Sequence, residues 1–437
     1  MVFFYWLVSV MPLEDHWLWG HVLFGTFTVI KALGLLCFLI AVYRLVSGHV
    51  SLRRFYGQHV GWCLLFLAML SLAATHSKAQ VAPAAWSHIL SIILLFVTVL
   101  ALVNSRVRLS RTLLVAIGAG GLASLYTVRL QRYYGEGYRG GGLSLDSNYF
   151  AMLVGLWIPI AFLWAFSRRP RWERLFCAGC LVAMLMGAAI AASRGGFLGL
   201  AVACLYIILR SKHRVRNLLI AGAVVFPLSL FALSGLLHRF THPNAGDRFG
   251  EQARIIAWKA GLRMIEAHPL AGVGLHNFEK VILQYEDPAW LTEVKDDHPI
   301  VSLAHNTYVE LTAETGLPGL FSFLIMLIAT FCSLECDRRR AQRAKRTHFA
   351  TIALGLQAGL LSFAISAFFL SGWWEKMVWL LIFLPMCLHR MKMVPKASAI
   401  SNELSVVDEV TISDRGNTLS AYSCGLDSGV QATIGKI

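Results

Sequence analysis

The sequence predicts an all-α integral membrane protein, a polytopic bundle of about 11–12 transmembrane helices with a large outer loop that contains an amphipathic helix. Three observations lead there. The chain is 57% hydrophobic and only 14% charged, where soluble domains carry about a quarter charged residues, and its mean hydropathy is +0.61. Apolar runs long enough for a hydrocarbon core of about 30 Å recur along most of its length. Basic residues gather in every second connection, as cytoplasmic loops require.

The first stretch, Met1 to Pro12, is apolar and aromatic, and no Lys or Arg precedes Lys31. A cleaved signal peptide wants a basic start and a small-residue cleavage site, so this segment reads as retained and supplies the optional twelfth span. The other spans are 20–43, 58–75, 84–103, 112–127, 148–166, 174–193, 195–210, 217–237, 306–334, 349–371 and 374–389. Between them, Arg44, Arg53 and Arg54 fill one basic loop, Arg106, Arg108 and Arg111 a second, and Arg168, Arg169, Arg171 and Arg174 a third. Arg210 to Arg216 and Arg338 to Arg346 complete the set. The alternate connections, 76–83, 128–147, Ser193–Arg194, 238–305 and 371–374, then face outward. The chain divides into N-terminal helices (1–237), the large outer loop (238–305), C-terminal helices (306–393) and a disordered cytoplasmic tail (394–437) without helical periodicity.

This placement also accounts for the net charge of +15: the partners are membrane lipids, and nucleic acid is not needed to explain the basic residues. Eight of the nine cysteines lie in or beside apolar segments. Cys177 and Cys180 form a C-x-x-C with no second pair or neighbouring His, so they read as helix-packing residues. Lys31, inside the first long span, either serves function, snorkels, or faces a polar cavity.

Three features carry chemistry on the outer side. In AASRGGFLGL, Ser193 is an N-cap and Arg194 opens an inward-running helix. An anion there would meet a guanidinium fork, free backbone N–H groups and a helix dipole. The alternative is an arginine that anchors the helix at the headgroups. In the outer loop, 248–266 has helical apolar spacing and stops near Pro269. Arg254 shares a face with Trp258 and Gly261, whereas Arg263 lies about half a turn away; both could instead be ordinary surface arginines. Third, His305 stands at the N-terminus of an inward-running helix, whose positive end favours a neutral imidazole that can accept a proton. Glu310 and Glu314 share a face opposite that imidazole and either stabilise the helix start or hydrogen-bond within the bundle, and GLPG at 316–319 marks a kink. Asp296, Asp297 and His298 lack ligand spacing and read as a solvated turn, so no metal is expected.

Together these pieces resemble the O-antigen ligase and polymerase superfamily of bacterial envelope glycosyltransferases. Arg194 with Leu198 matches its R-x3-L pattern, and His305–Asn306, nine residues, then Gly316–Leu317 match its H-[NSQ]-x9-G-aliphatic pattern. RIIAWKAGLRMIEAHPLAGVGLHNF and DSNYFA at 146–151 resemble further family segments, so the likeness spans roughly 130–335. The resemblance implies a multi-pass protein of the bacterial inner membrane with a periplasmic active site. It would move a glycan from a polyprenyl (undecaprenyl) diphosphate carrier to a hydroxyl acceptor such as lipid A–core, or another glycan, with no cofactor. In that reading His305 is the general base, and Arg194 and Arg254, helped by Arg139 and Arg248, hold the diphosphate. Arginines then do the work of a metal at the leaving group, and direct attack inverts the anomeric carbon. A polymerase using a second lipid-linked repeat as acceptor is the alternative within the family, since Arg129 and Arg263 each precede a glycine at R-x10-G spacing. A transporter or flippase for lipid-linked sugar is the alternative of another class. It predicts ionisable residues at the midplane, whereas these crowd the outer edge.

Overall fold

A computed structural model describes residues 1–13, 22–24, 27–50, 58–135, 146–211, 214–216, 218–219, 222, 245–286 and 303–391. The expected span 217–237 lies largely outside the described residues, and the tail 394–437 and the 296–298 turn entirely so. The described elements all belong to one compact unit, Met1–Met391.

The helices, in chain order, are α1 (Val2–Val10), α2 (Val29–Val46), α3 (Gln58–Thr75), α4 (Ala82–Leu102), α5 (Arg106–Tyr134), α6 (Ser147–Ala165), α7 (Arg171–Ala191) and α8 (Arg194–Arg210). The loop helices α9 (Ala245–Ala267) and α10 (Phe278–Tyr285) follow, then α11 (Thr307–Arg343), α12 (Thr347–Ser366) and α13 (Lys376–Met391). Among the described residues seven helices, α2, α4, α5, α6, α7, α11 and α12, are long and apolar enough to cross a membrane, and α3 is a shorter apolar helix. The chain is a polytopic all-α membrane protein, and its surface agrees. Leu198, Leu205 and Leu209 on α8, and Phe321, Ile325 and Ile328 on α11, form exposed apolar stripes at helical spacing, tolerable only where the solvent is lipid.

Two boundaries differ from expectation for identifiable reasons. The span expected from residue 20 begins at Val29, because Val22–Phe24 (β1) pairs antiparallel with Phe27–Thr28 (β2). A short run of Val, Leu, Phe and Thr has no periodicity that separates strand from helix. Thr28 then caps α2 by accepting from the Lys31 amide, so Lys31 sits in the first turn rather than in the body of the span. Helix α5 runs from Arg106, not 112, because the Ser105 side chain accepts from the Arg108 amide and starts it early.

Helix α13 is the centre of the bundle. Met377 to Leu388 are all buried, the signature of a helix that is apolar all round, and it packs against α4, α5, α6, α11 and α12. The basic helix ends meet at one end of the bundle: Arg169 bonds to Glu173 and His348, Arg106 lies over Phe349, and Arg210 pairs with Glu335.

Helix α11 breaks where GLPG suggested. Gly316 adopts φ 71°, ψ −179°. Pro318 has no N–H for the Glu314 carbonyl, and the Leu317 amide donates to Pro269 O (2.8 Å) instead of to Ala313. Both orphaned carbonyls are taken up by the loop after α9: Val273 N–H donates to Ala313 O (2.8 Å) and Gly274 N–H to Glu314 O (3.1 Å). The break is thus a docking slot for HPLAGVG, not a simple bend. A Cβ on Gly316 would lie 2.5 Å from the Leu270 carbonyl carbon. Gly316→Ala is therefore expected to lower stability by about 1–3 kcal/mol or more. Gly179→Ala on α7, whose Cβ would meet nothing within 4 Å, should raise it by about 0.5–1 kcal/mol. Thermal unfolding in detergent checks the two signs.

Candidate active site

Three helix starts, the turn after α12 and one loop helix converge on His305. The start of α11 is fixed first. Asn306 is its N-cap, accepting from Tyr308 N–H (3.0 Å) and Val309 N–H (3.2 Å). His305 just before it takes the left-handed conformation, φ 46°.

The turn after α12 is the common anchor. The Thr307 amide donates to Ala367 O (2.8 Å) and Leu370 O (2.9 Å), and its hydroxyl accepts from Gly372 N–H (2.9 Å). The Tyr149 hydroxyl of α6 donates to the Ser371 carbonyl, and the Ser371 hydroxyl donates to Glu310. Helix α8 meets the same turn. A Cβ on Gly195 would lie 2.6 Å from Phe369 Cβ, so only glycine lets the residue after Arg194 approach this closely. Ser193 caps α8 through Gly196 N–H (3.3 Å) and donates to Asn148 Oδ1 (2.9 Å), tying the α8 and α6 starts together. Asp146 caps α6 through Asn148 N–H (2.6 Å) and Tyr149 N–H (3.2 Å).

Helix α9 closes the site with the face read from its spacing. Trp258 Nε1 donates to Ala304 O (2.8 Å), beside His305. A Cβ on Gly261 would lie 2.6 Å from Val309 Cγ1, so α9 lies hard against the first turn of α11. Arg254, one turn before Trp258 on that face, is half-buried and close enough to His305 to act on its charge. Arg263, on the other side, donates to Tyr285 O (2.9 Å). The loop following α9 is held from behind. Asn277 Oδ1 accepts from Lys78 N–H (3.0 Å), and its Nδ2 donates to Val273 O (2.6 Å).

His305 Nδ1 is buried and has no hydrogen-bond partner among the described residues. The pKa of the imidazole is lowered, first by burial and then by Arg254, while Asp146 opposes the shift. The neutral form is favoured as expected, but the cause is burial and a neighbouring guanidinium. Arg194 is exposed at the first position of α8.

The structure thus brings together His305, Arg254 and the start of α8 that bears Arg194. Arg139 lies outside the described residues, and so does the Arg248 side chain, although its backbone is in α9. Glu310 and Glu314 turn into the bundle, Glu310 toward Ser371 and Glu314 accepting from Phe278 N–H (3.2 Å). The carboxylate that acts on His305 is Asp146, which sequence reasoning missed even though DSNYFA was singled out; its N-cap position was the available signal. The Ser366–Gly372 anchor was missed too, because 349–371 reads as one span and only 371–374 as an outer connection. No cluster of three or more His, Cys, Asp or Glu side chains suited to a metal occurs among the described residues.

These features define the class: a multi-pass membrane protein in which a buried histidine, Arg254 of a loop helix and the α8 start bearing Arg194 meet at one end of the bundle. Residues 179–324 match the family described as O-antigen ligase. The matched segment contains Arg194, Arg254, His305 and Gly316, and leaves Asp146 and the Ser366–Gly372 turn outside it. No curated protein matches the chain.

Proposed function

We propose that the chain transfers a glycan from a polyprenyl diphosphate carrier to a hydroxyl acceptor at the periplasmic face of the bacterial inner membrane. The observation that carries this is the pairing of a buried imidazole, whose Nδ1 has no partner among the described residues, with Arg254 and the α8 start bearing Arg194. A buried polar atom without a partner calls for a ligand, and an acceptor hydroxyl supplies one. His305 takes the hydroxyl proton as the acceptor oxygen bonds to the anomeric carbon. The bond from that carbon to the diphosphate breaks, and the leaving group departs as the polyprenyl diphosphate dianion or higher anion, held by Arg194 and Arg254. Arg139 and Arg248 are proposed helpers. Asp146 positions the imidazole and offsets the charge it gains. The product linkage is inverted.

The His pattern favours the ligase reading, with lipid A–core as acceptor, over a polymerase that uses a second lipid-linked repeat. Purified protein given a lipid-linked glycan and each acceptor, without nucleotide, tests both. Elongated lipid-linked glycan in place of glycosylated lipid A–core would favour the polymerase.

Two further results are expected. The base must be neutral, so kcat/KM should fall on the acid side only below the ordinary histidine value of about 6.5. Removing the Arg254 charge (Arg254→Gln) removes a lowering influence and should move that acid limb upward. Asp146→Asn keeps an N-cap residue but removes the opposing charge, and should move the limb downward. Both are read from the pH profile of residual activity. For topology, Gly246→Cys and Arg340→Cys in a background without the nine native cysteines should label from opposite sides with an impermeant reagent. Same-side labelling would overturn the periplasmic placement.

A further inference from the structure

One buried carboxyl group at this end of the bundle takes no part in the chemistry above. Glu310 stands in the first turn of α11 and is buried. It accepts from the Ser371 hydroxyl and from the backbone N–H of Ala304. The first partner belongs to the turn after α12, and the second is the residue just before His305. Side chains on a helix lean toward its N-terminus, and positions four apart share a face. Glu310 therefore lies under Asn306 and reaches back to the segment that enters α11. The positive end of the helix and two hydrogen-bond donors offset the cost of burying a carboxyl group there. Glu314, one turn further on, serves a different segment, accepting from Phe278 N–H (3.2 Å).

The backbone at His305 needs such support. Its φ of 46° is a conformation that persists in a non-glycine residue only where its surroundings over-determine it. Ala304 is held on both sides: its N–H goes to Glu310, and its carbonyl accepts from Trp258 Nε1 (2.8 Å). After His305, Asn306 caps α11 and the Thr307 amide donates to Ala367 O and Leu370 O. The left-handed residue is clamped before and after, and Glu310 joins the leading clamp to the same turn that Thr307 grips. The groups that act on the charge of the imidazole are Arg254 and Asp146, so the route from Glu310 to the chemistry is the backbone.

We propose that Glu310 is a positioning residue for His305: it fixes the turn that aims the imidazole, and it acts on transfer only through that side chain. This rests on the reading of His305 as the general base. A displacement of about 1 Å in a reacting group costs as much as about 10²-fold in rate.

The test is a double-mutant cycle on the full-length protein in liposomes, with a polyprenyl diphosphate-linked glycan as donor and lipid A–core as acceptor. Glu310→Ala should lower kcat by about 10²-fold. The donor KM should stay near wild type, because the turn after α12 keeps its bonds to Thr307 and Tyr149. Glu310→Gln should recover most of kcat, since its amide oxygen accepts from Ala304 N–H and its amino group donates to the Ser371 hydroxyl. In a His305→Ala background, Glu310→Ala should change the residual rate by no more than about twofold. Ser371→Ala removes one of the two ties and carries the same cycle if Glu310→Ala does not accumulate in the membrane. A kcat loss of the same size in the His305→Ala background would overturn the proposal, because Glu310 would then act by another route. So would a loss confined to the donor KM, or no recovery with glutamine, which would make the charge itself the requirement. A merely structural role predicts less folded protein with kcat per folded molecule unchanged, and that result also overturns it. Wild-type transfer by His305→Ala alone would instead reject His305 as the base, and the positioning role with it.

Discussion

His305→Ala is expected to reduce glycan transfer by about 10²–10⁴-fold, the usual loss for a positioned base, while binding of the lipid diphosphate survives. The separation follows from the architecture. His305 is held by the start of α11, through Asn306 and the Thr307 contacts with Ala367 and Leu370. The arginines stand on α8 and α9, whose contacts with this end of the bundle, Gly195 against Phe369 and Trp258 with Ala304 O, do not involve the His305 side chain. His305→Gln divides proton acceptance from hydrogen bonding, since an amide can orient a hydroxyl but does not take up its proton. Near wild-type transfer in the Gln variant would demote His305 to orienting the acceptor. Loss of donor binding in the Ala variant would make it part of the lipid site. Membrane levels measured alongside separate both from a folding defect, because φ 46° at this position is a conformation that alanine adopts less readily than histidine.

Arg194→Lys and Arg254→Lys should each remove most activity without changing insertion. A guanidinium meets a diphosphate with two parallel N–H donors, and an ammonium does not. Arg254 carries a second consequence, because its charge also helps keep His305 neutral. Lysine retains that charge, so the loss in Arg254→Lys should come without a large shift of the acid limb, unlike Arg254→Gln. Full activity in both lysine variants would reject diphosphate recognition by these residues.

Local features of the site were legible from the chain, and features built by distant contacts were not. Ser193 as cap, Arg194 as first helical residue, the shared face of Arg254 and Trp258, and the break at Gly316 each follow from a few neighbouring residues. What the break does could not be read, because its partners Val273 and Gly274 come from another segment and meet α11 only after α9 has packed on it. Asp146 shows the same limit: its capping role is local, its influence on His305 is tertiary. The hairpin at 22–28 was hidden for another reason, since its β-branched and aromatic residues fit helix and strand alike. Lys31 stands out as an ionisable residue in an apolar run, but its level in the bundle depends on where that hairpin ends.

The most direct measurement is the stereochemistry and stoichiometry of transfer by the purified protein in liposomes, from a polyprenyl diphosphate-linked glycan of known anomeric configuration to a hydroxyl acceptor. In-line attack by an acceptor activated at His305 predicts a product with the opposite anomeric configuration, and one polyprenyl diphosphate released per glycan transferred. A product of retained configuration, or release of polyprenyl monophosphate with the glycan still phosphorylated, would contradict it.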